Sequence, residues 1–294
     1  MLRIFTLLLA LTCAASAQVP MTGGGLAGPV AAGCSYNVAT CAWAAAVVTA
    51  GGTVGTTEEG YVDTLIVALK TGYTTNYFTS CDHIWLHASE NVYQAKIDII
   101  ANASVVYHGA TESGQFAASH GYTGNASSVY LDSGFQSGTN YTVNSASIAI
   151  YVLNTRSTGA YIDIGNNNVA SAGANISPSY SGTTYYAIND YGGETGGASS
   201  SLGSWLVTRT GVSATALYKN SSATAVSTST TAVAAGVTAL NMAILARNNN
   251  GTIGSFTSDT IAITAFCGGL TGTQSSQLQT IFNNYMTSLG TNVY

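Results

Sequence analysis

The groups in this 294-residue chain with chemistry to offer are twelve acidic residues, four histidines and a concentration of tyrosines. Hydrolysis of a glycosidic bond needs two carboxyl groups, about 5–5.5 Å apart for retention or about 6.5–9.5 Å apart for inversion. On one strand such a pair must be spaced by two or four residues to share a face. Glu58 and Glu59 sit at a helix start, where acidic residues complement the dipole, and Asp163, Asp190, Glu194 and Asp259 stand singly in polar loops or at strand ends. His83, His87, His108 and His120 accompany neither a Gly-x-Ser-x-Gly elbow nor a His-Glu-x-x-His helix. His83 and His87, four apart, are expected as a structural pair, since with Cys81 they lack the second cluster that zinc requires. The glycine runs at 23–25 and 192–197 have no following lysine and no strand–helix context, so they do not read as phosphate cradles.

Sugar binding fits the remaining residue types better. Aromatic rings stack on pyranose faces while amides and carboxylates hold hydroxyls. Tyr180, Tyr185, Tyr186 and Tyr191 cluster with Asn189, Asp190 and Glu194. From this patch Tyr185, Tyr186, Asp190, Tyr191 and Glu194 are the expected carbohydrate-binding residues. The alternative is that Tyr185 and Tyr186 are ordinary strand tyrosines facing opposite ways. Asp163 with Asn166 is the one candidate calcium pair, and no other cofactor is implied.

These residues have to be positioned by strands. Trp205–Arg209, Ala214–Tyr218, Leu240–Ala246 and Thr260–Phe266 are short apolar or alternating runs separated by Ser, Thr, Asn and Gly, as in antiparallel sheets. Asn250-Gly251 suits a tight turn with positive φ. Upstream, residues 105–107, 115–117, 128–131, 147–153, 160–164 and 184–188 are further strand candidates. In Ser147–Leu153 both alternating sets are apolar, which predicts a central strand covered on both faces. After the last strand the period changes. Thr271-Gly-Thr-Gln274 fits a capping box, and Leu278, Ile281, Phe282, Tyr285, Met286 and Leu289 mark a helix over 272–289 docked by one face, stopped at Gly290. A second capping box is expected at Thr56–Glu59, opening a helix with Val62, Leu65, Ile66 and Leu69 on one face. Ser89 is expected to cap a further helix bearing Val92, Ala95 and Ile99.

This order of motifs resembles the C-terminal half of concanavalin A-like (LamG-type) jelly-roll domains, found in bacteriophage virion and tail-associated proteins and in exported bacterial proteins. The segments that carry it are Leu206–Thr210, Ala216–Asn220, Ala243–Gly251 and Ile261–Phe266, with Gly121–Phe135 resembling the opening strand. The likeness runs from Thr56 to Gly290. It implies a mainly β fold, a jelly-roll sandwich of two antiparallel sheets preceded by a short helical segment and followed by the amphipathic helix. Sandwich glucanases carry a Glu-x-Asp-x-x-Glu run, and none stands in this sequence.

Composition bounds the rest. Charged residues are 6% and hydrophobic ones 46%, enough apolar material for a core and the opposite of a disordered chain. A net charge of −5 leaves no basic footprint for nucleic acid. Met1–Ala17 reads as a signal peptide, with Arg3, an apolar core from Ile4 to Leu11 and a small-residue site at Ala15-Ser-Ala17. That apolar run is too short to span a membrane. Cys34 and Cys41 are expected as one disulfide. Cys81 and Cys267 are left for a second, or for two separate buried thiols. The expected division is 1–17 signal peptide, 18–55 an irregular or strand-bearing Gly/Ala-rich extension, 56–101 a helical segment, and 102–294 the sandwich with its helix. Together these readings predict an exported, non-catalytic protein that attaches to a glycan or cell-surface polymer, or joins other copies or subunits of an extracellular or virion assembly. The alternative is a secreted polysaccharide-active enzyme whose carboxylates meet only in the fold.

Overall fold

The computed structural model describes residues 34–156, 159–168, 171–190, 194–196, 200–233 and 239–294, so the expected signal peptide lies outside the described residues. Helices α1 (Val38–Thr49) and α2 (Thr56–Thr71) come first, then the single turn α3 (Tyr77–Ser80), strand β1 (Cys81–Leu86) and short α4 (Val92–Lys96). Strands β2 (Val106–His108), β3 (Phe116–Ala117), β4 (Gly121–Thr123) and β5 (Tyr130–Gln136) lead into the turn α5 (Ser137–Asn140). Next are β6 (Ala146–Val152), β7 (Ile164–Asn168), β8 (Ser171–Tyr180), β9 (Thr183–Asp190), β10 (Glu194–Gly196), β11 (Gly203–Gly211) and β12 (Ala214–Lys219). Then come β13 (Ser227–Ser229), β14 (Asn241–Ile244), β15 (Arg247–Asn249), β16 (Thr252–Gly254), β17 (Thr260–Cys267) and α6 (Gly272–Ser288).

These strands make two sheets. One has eight strands in the order β13-β12-β11-β6-β17-β4-β3, with β1 also paired to β17. The other has nine, in the order β10-β9-β8-β7-β14-β5-β2, with the β15–β16 hairpin attached through β7. Pairing is antiparallel throughout the described residues except between β15 and β7, which run parallel. The sheets face each other across a core containing Trp85, Phe135, Ile148, Ile150, Tyr186, Trp205, Val207 and Phe266. A second core, with Ala149, Tyr151, Leu206, Ile263, Leu278 and Phe282, lies on the other face of the eight-stranded sheet, beneath α1, α2 and α6. Every residue of β6 is buried, its alternate side chains divided between these two cores. The both-faces-apolar pattern of that strand therefore reports a true third, helical layer.

Local signals set several element ends. The Thr271 hydroxyl accepts from Gln274 N (3.3 Å) while the Gln274 side chain accepts from Thr271 N (2.8 Å), so the capping box forms as its sequence predicts. Leu278, Ile281, Phe282, Tyr285 and Met286 are all buried on the docked face of α6. At the β15–β16 turn, Asn250 (φ 54°) and Gly251 (φ 87°) both adopt the left-handed conformation expected of Asn-Gly.

Elsewhere the local expectation fails. Thr56–Glu59 forms no capping box: Gly55 is the N-cap and its helix end has no side-chain cap, because Glu58 turns inward toward another helix. Asn91, not Ser89, caps α4, accepting from Tyr93 N and Gln94 N, and the helix stops at Lys96 where the chain turns back to pair with β1. Ile84-Trp85-Leu86 is a strand amid these helices. The described part of the N-terminal extension is not irregular but holds α1, whose alanine-rich run favours helix once Asn37 caps it. Both disulfides are present, Cys34–Cys41 and Cys81–Cys267, the second joining register partners on β1 and β17.

Candidate functional site

The tyrosine patch is built on the β8–β9 hairpin. Its turn is Ser181-Gly182, both at positive φ (51° and 89°), which glycine takes at no steric cost. Across the hairpin Ser177 pairs with Tyr185 and Tyr180 with Thr183. Strand alternation sends neighbours to opposite faces. Tyr186 goes inward to the core between the sheets, fully buried, its hydroxyl donating to Ser227 Oγ (2.7 Å). Tyr185 consequently lies on the outer face, half-buried, its ring centroid 5.2 Å from that of Tyr180 at 33°. Tyr161 lies nearby: its carbonyl accepts from Ser177 Oγ (2.6 Å) and its ring faces the Arg156 guanidinium at 5.2 Å. Tyr180 and Tyr185 thus lie together at the hairpin end of the nine-stranded sheet.

The other expected sugar-binding residues divide differently. Asp190 is buried, where its carboxylate accepts from Arg209 Nη2 at 2.7 Å. The same guanidinium donates to the Ile188 carbonyl (2.6 Å) and the Val212 carbonyl (2.8 Å), so Asp190 serves to hold a buried cation between the sheets. Tyr186 and Asp190 therefore point away from any ligand on the outer face. Tyr191 lies outside the described residues, and Glu194 opens β10 in register with Tyr186.

Asp163 and Asn166 do not gather into a calcium site. Asp163 accepts from Arg156 Nη2 (2.8 Å), so the position is already supplied with a cation. Asn166 donates to Leu240 O (2.7 Å) and Ser137 Oγ (3.0 Å) and accepts from Ala174 N (3.2 Å). Among the described residues no three His, Cys, Asp or Glu side chains come together as a metal would need.

One carboxyl pair does converge. Arg156 bridges Asp163 and Asp259 through Nη2 and Nε (2.8 and 3.1 Å), donates to Ser179 O, and Ser201 Oγ donates to the other oxygen of Asp259 (3.1 Å). Both aspartate side chains are fully buried. Burial, then the charge and hydrogen bond of Asp163, push Asp259 up to about 9 against the opposing pull of Arg156. A glycosidic bond cannot reach this pair, which works as internal electrostatic glue. Asp132 is engaged by Asn241 Nδ2 and Gly134 N on the outer face of β5.

The histidines are held separately. His83 Nδ1 meets Asp98 Oδ2 at 2.6 Å and its ring stacks on Trp85 at 4.9 Å. His87 Nδ1 donates to Ala95 O (2.8 Å), and full burial lowers it to about 4, so it is neutral. His108 stacks on Tyr130, and His120 bonds the Ala118 carbonyl on an exposed loop. The expected His83–His87 pair is thus two residues with different partners. No sequence signal marked the Arg156 and Arg209 networks except scarcity, with seven Lys and Arg in the whole sequence.

The fold and site define a mainly β sandwich with a helical layer and an outer aromatic patch. No family model matches the sequence, and no curated protein matches it. Solved structures align with it at very low identity. A trans-sialidase-active mutant of Trypanosoma rangeli sialidase aligns with 81% of this chain at 11% identity and a TM-score of 0.52, and the alignment spans 38% of that longer protein. The CBM40 of the Ruminococcus gnavus IT-sialidase matches 53% of this chain and 96% of its own, at 13% identity and a TM-score of 0.39. Domain 4 of the extracellular GH43 arabinanase AbnA of Geobacillus stearothermophilus, solved with arabinotriose, matches 67% of this chain and 100% of its own, at 12% identity and a TM-score of 0.42. Identity this low speaks for architecture alone, and the last two superpose too loosely to add to it. Among the described residues no helix is long and apolar enough to cross a membrane.

Proposed function

We propose that this chain is an exported, non-catalytic β-sandwich that attaches to carbohydrate through the outer tyrosine patch. The observation that carries this reading is the half-buried Tyr180–Tyr185 pair at the hairpin end of the nine-stranded sheet. Two rings fixed by strand register offer a platform for a sugar face at little entropic cost, since a tyrosine side chain has few rotamers to lose. Sealing of the Asp163–Asp259 pair argues against the hydrolase alternative. Export is supported by the leader-like Met1–Ala17 and by two disulfides, which persist in oxidising compartments.

A glycan array followed by calorimetry on the best hit tests this. Tyr185→Ala should weaken binding at least tenfold, about 1.4 kcal/mol, with the melting temperature little changed because the ring is only half-buried. An array with no hit, or a hit whose affinity ignores Tyr180→Ala and Tyr185→Ala alike, overturns the assignment.

A further inference from the structure

Glu58 is a buried carboxyl group that the tyrosine patch leaves unused. It points from α2 into the core beneath the helices, 2% exposed, and its Oε1 lies 2.6 Å from the hydroxyl of Tyr285 on α6. That same hydroxyl lies 2.7 Å from the carbonyl oxygen of Ala88, in the loop after β1. A phenol has one hydrogen to give, and a backbone carbonyl can only accept. Both short contacts are satisfied together when Tyr285 donates to Ala88 and Glu58 donates to Tyr285, which requires a proton on Glu58.

The surroundings favour that proton. α6 carries no charged side chain at all. From the loop after β1 comes Glu90, another acid, whose carboxylate accepts from Gly55 N and Gln94 Nε2. His87, which precedes Ala88, is neutral and bonded to Ala95. On α2 itself the neighbours are Glu59 and Asp63, and the helix's one cation, Lys70, lies in its last turn, donating to Asn37. Among the described residues nothing cationic is placed to hold Glu58 as a carboxylate.

We propose that Glu58, Tyr285 and Ala88 form a proton-dependent clasp that fastens α2 and α6 to each other and to the loop after β1. Burial, ahead of the Glu90 charge and against the Tyr285 hydrogen bond, raises Glu58 from 4.5 to about 7, in keeping with this geometry. The folded state then holds the proton more tightly than the unfolded chain. The clasp contributes fully below pH 4.5 and loses its contribution as pH rises to about 7. Ionisation there would strand a carboxylate under the helical layer and loosen α6 on the sheet. The pH response of the whole protein mixes this with other groups. His87, lowered from 6.5 to about 4, makes stability rise over nearly the same interval, while Asp259, raised from 3.8 to about 9, makes it fall.

The test is therefore a comparison. Glu58→Gln keeps a donor to Tyr285 and cannot ionise. Unfolding equilibrium constants of wild type and variant should be measured by denaturant titration from pH 4 to pH 8. Their ratio cancels His87 and Asp259 and should climb by a factor on the order of 10² across this range. A ratio flat with pH overturns the clasp. Should Glu58→Gln not fold, the carboxyl carbon of Glu58 can be titrated by NMR in the wild-type protein. A midpoint near 7 supports the proposal, and one near 4.5 ends it.

Discussion

Arg156 joins parts of the chain that are far apart in sequence, reaching Asp163 seven residues on and Asp259 103 residues on. Its removal would leave two buried carboxyls without their cation. Breaking a buried ion pair from one side costs roughly 3–5 kcal/mol, so Arg156→Met should lose about that much stability in urea melts. Asp259→Asn should behave otherwise. Asp259 is raised from 3.8 to about 9, so near neutral pH it is already uncharged, and the amide substitutes for the acid. We expect Asp259→Asn to cost less than about 1 kcal/mol at pH 7, the price of a modest hydrogen-bond adjustment. Because a raised carboxyl stabilises the fold in acid and loses that contribution as pH climbs toward 9, the variant should also flatten the alkaline decline. If Asp259→Asn at pH 7 is as damaging as Arg156→Met, Asp259 is the charged partner and this assignment of the proton is wrong.

At the scale of elements, α6 decides how the helical layer stays in place. Phe282 is fully buried in the core beneath the helices, and the flanks of α6 are pinned by Tyr151 Oη to Asn283 Oδ1 (2.7 Å) and Gln279 Nε2 to Ser204 O (3.1 Å). An exposed oligomerisation arm would show the same apolar spacing without these contacts. Phe282→Asp should therefore destabilise by more than the roughly 3–5 kcal/mol of a Phe→Ala truncation, since it adds a buried charge to the cavity. An unchanged melting temperature with loss of self-association would mean that α6 is an arm. This helix was legible in the sequence because its cap, period and stop are all local. The β8–β9 hairpin was only half legible: Tyr185 and Tyr186 were visible as strand residues, but which one faces out depends on which sheet the strand joins. Asp190 looked like a ligand contact for want of its partner, Arg209, which lies on a strand of the other sheet. The Glu58 clasp was illegible for the same reason, its partner standing 227 residues away.

Across the whole molecule, the strands next to the helices are held by a covalent tie between distant parts of the chain. Cys81 on β1 and Cys267 on β17 are 186 residues apart in sequence, whereas Cys34 and Cys41 are 7 apart. β1 pairs with β17 alone among the described strands, so the bridge secures the strand that the helical segment contributes to the eight-stranded sheet. In the chain-entropy model, closing the long loop stabilises by about 5 kcal/mol and the short one by about 2–3 kcal/mol. The larger figure is comparable to the whole net stability of many domains, about 5–15 kcal/mol. Replacing Cys81 and Cys267 by serine should then lower the denaturation midpoint far more than replacing Cys34 and Cys41, with a reducing agent reproducing the sum. The comparison also separates two roles for the long bridge. A loss confined to the midpoint, with the native near-ultraviolet spectrum intact below it, means the tie acts mainly on the unfolded chain. Equal losses from the two double substitutions would show that loop length does not govern here, and that β1 is held to β17 by its hydrogen bonds and packing.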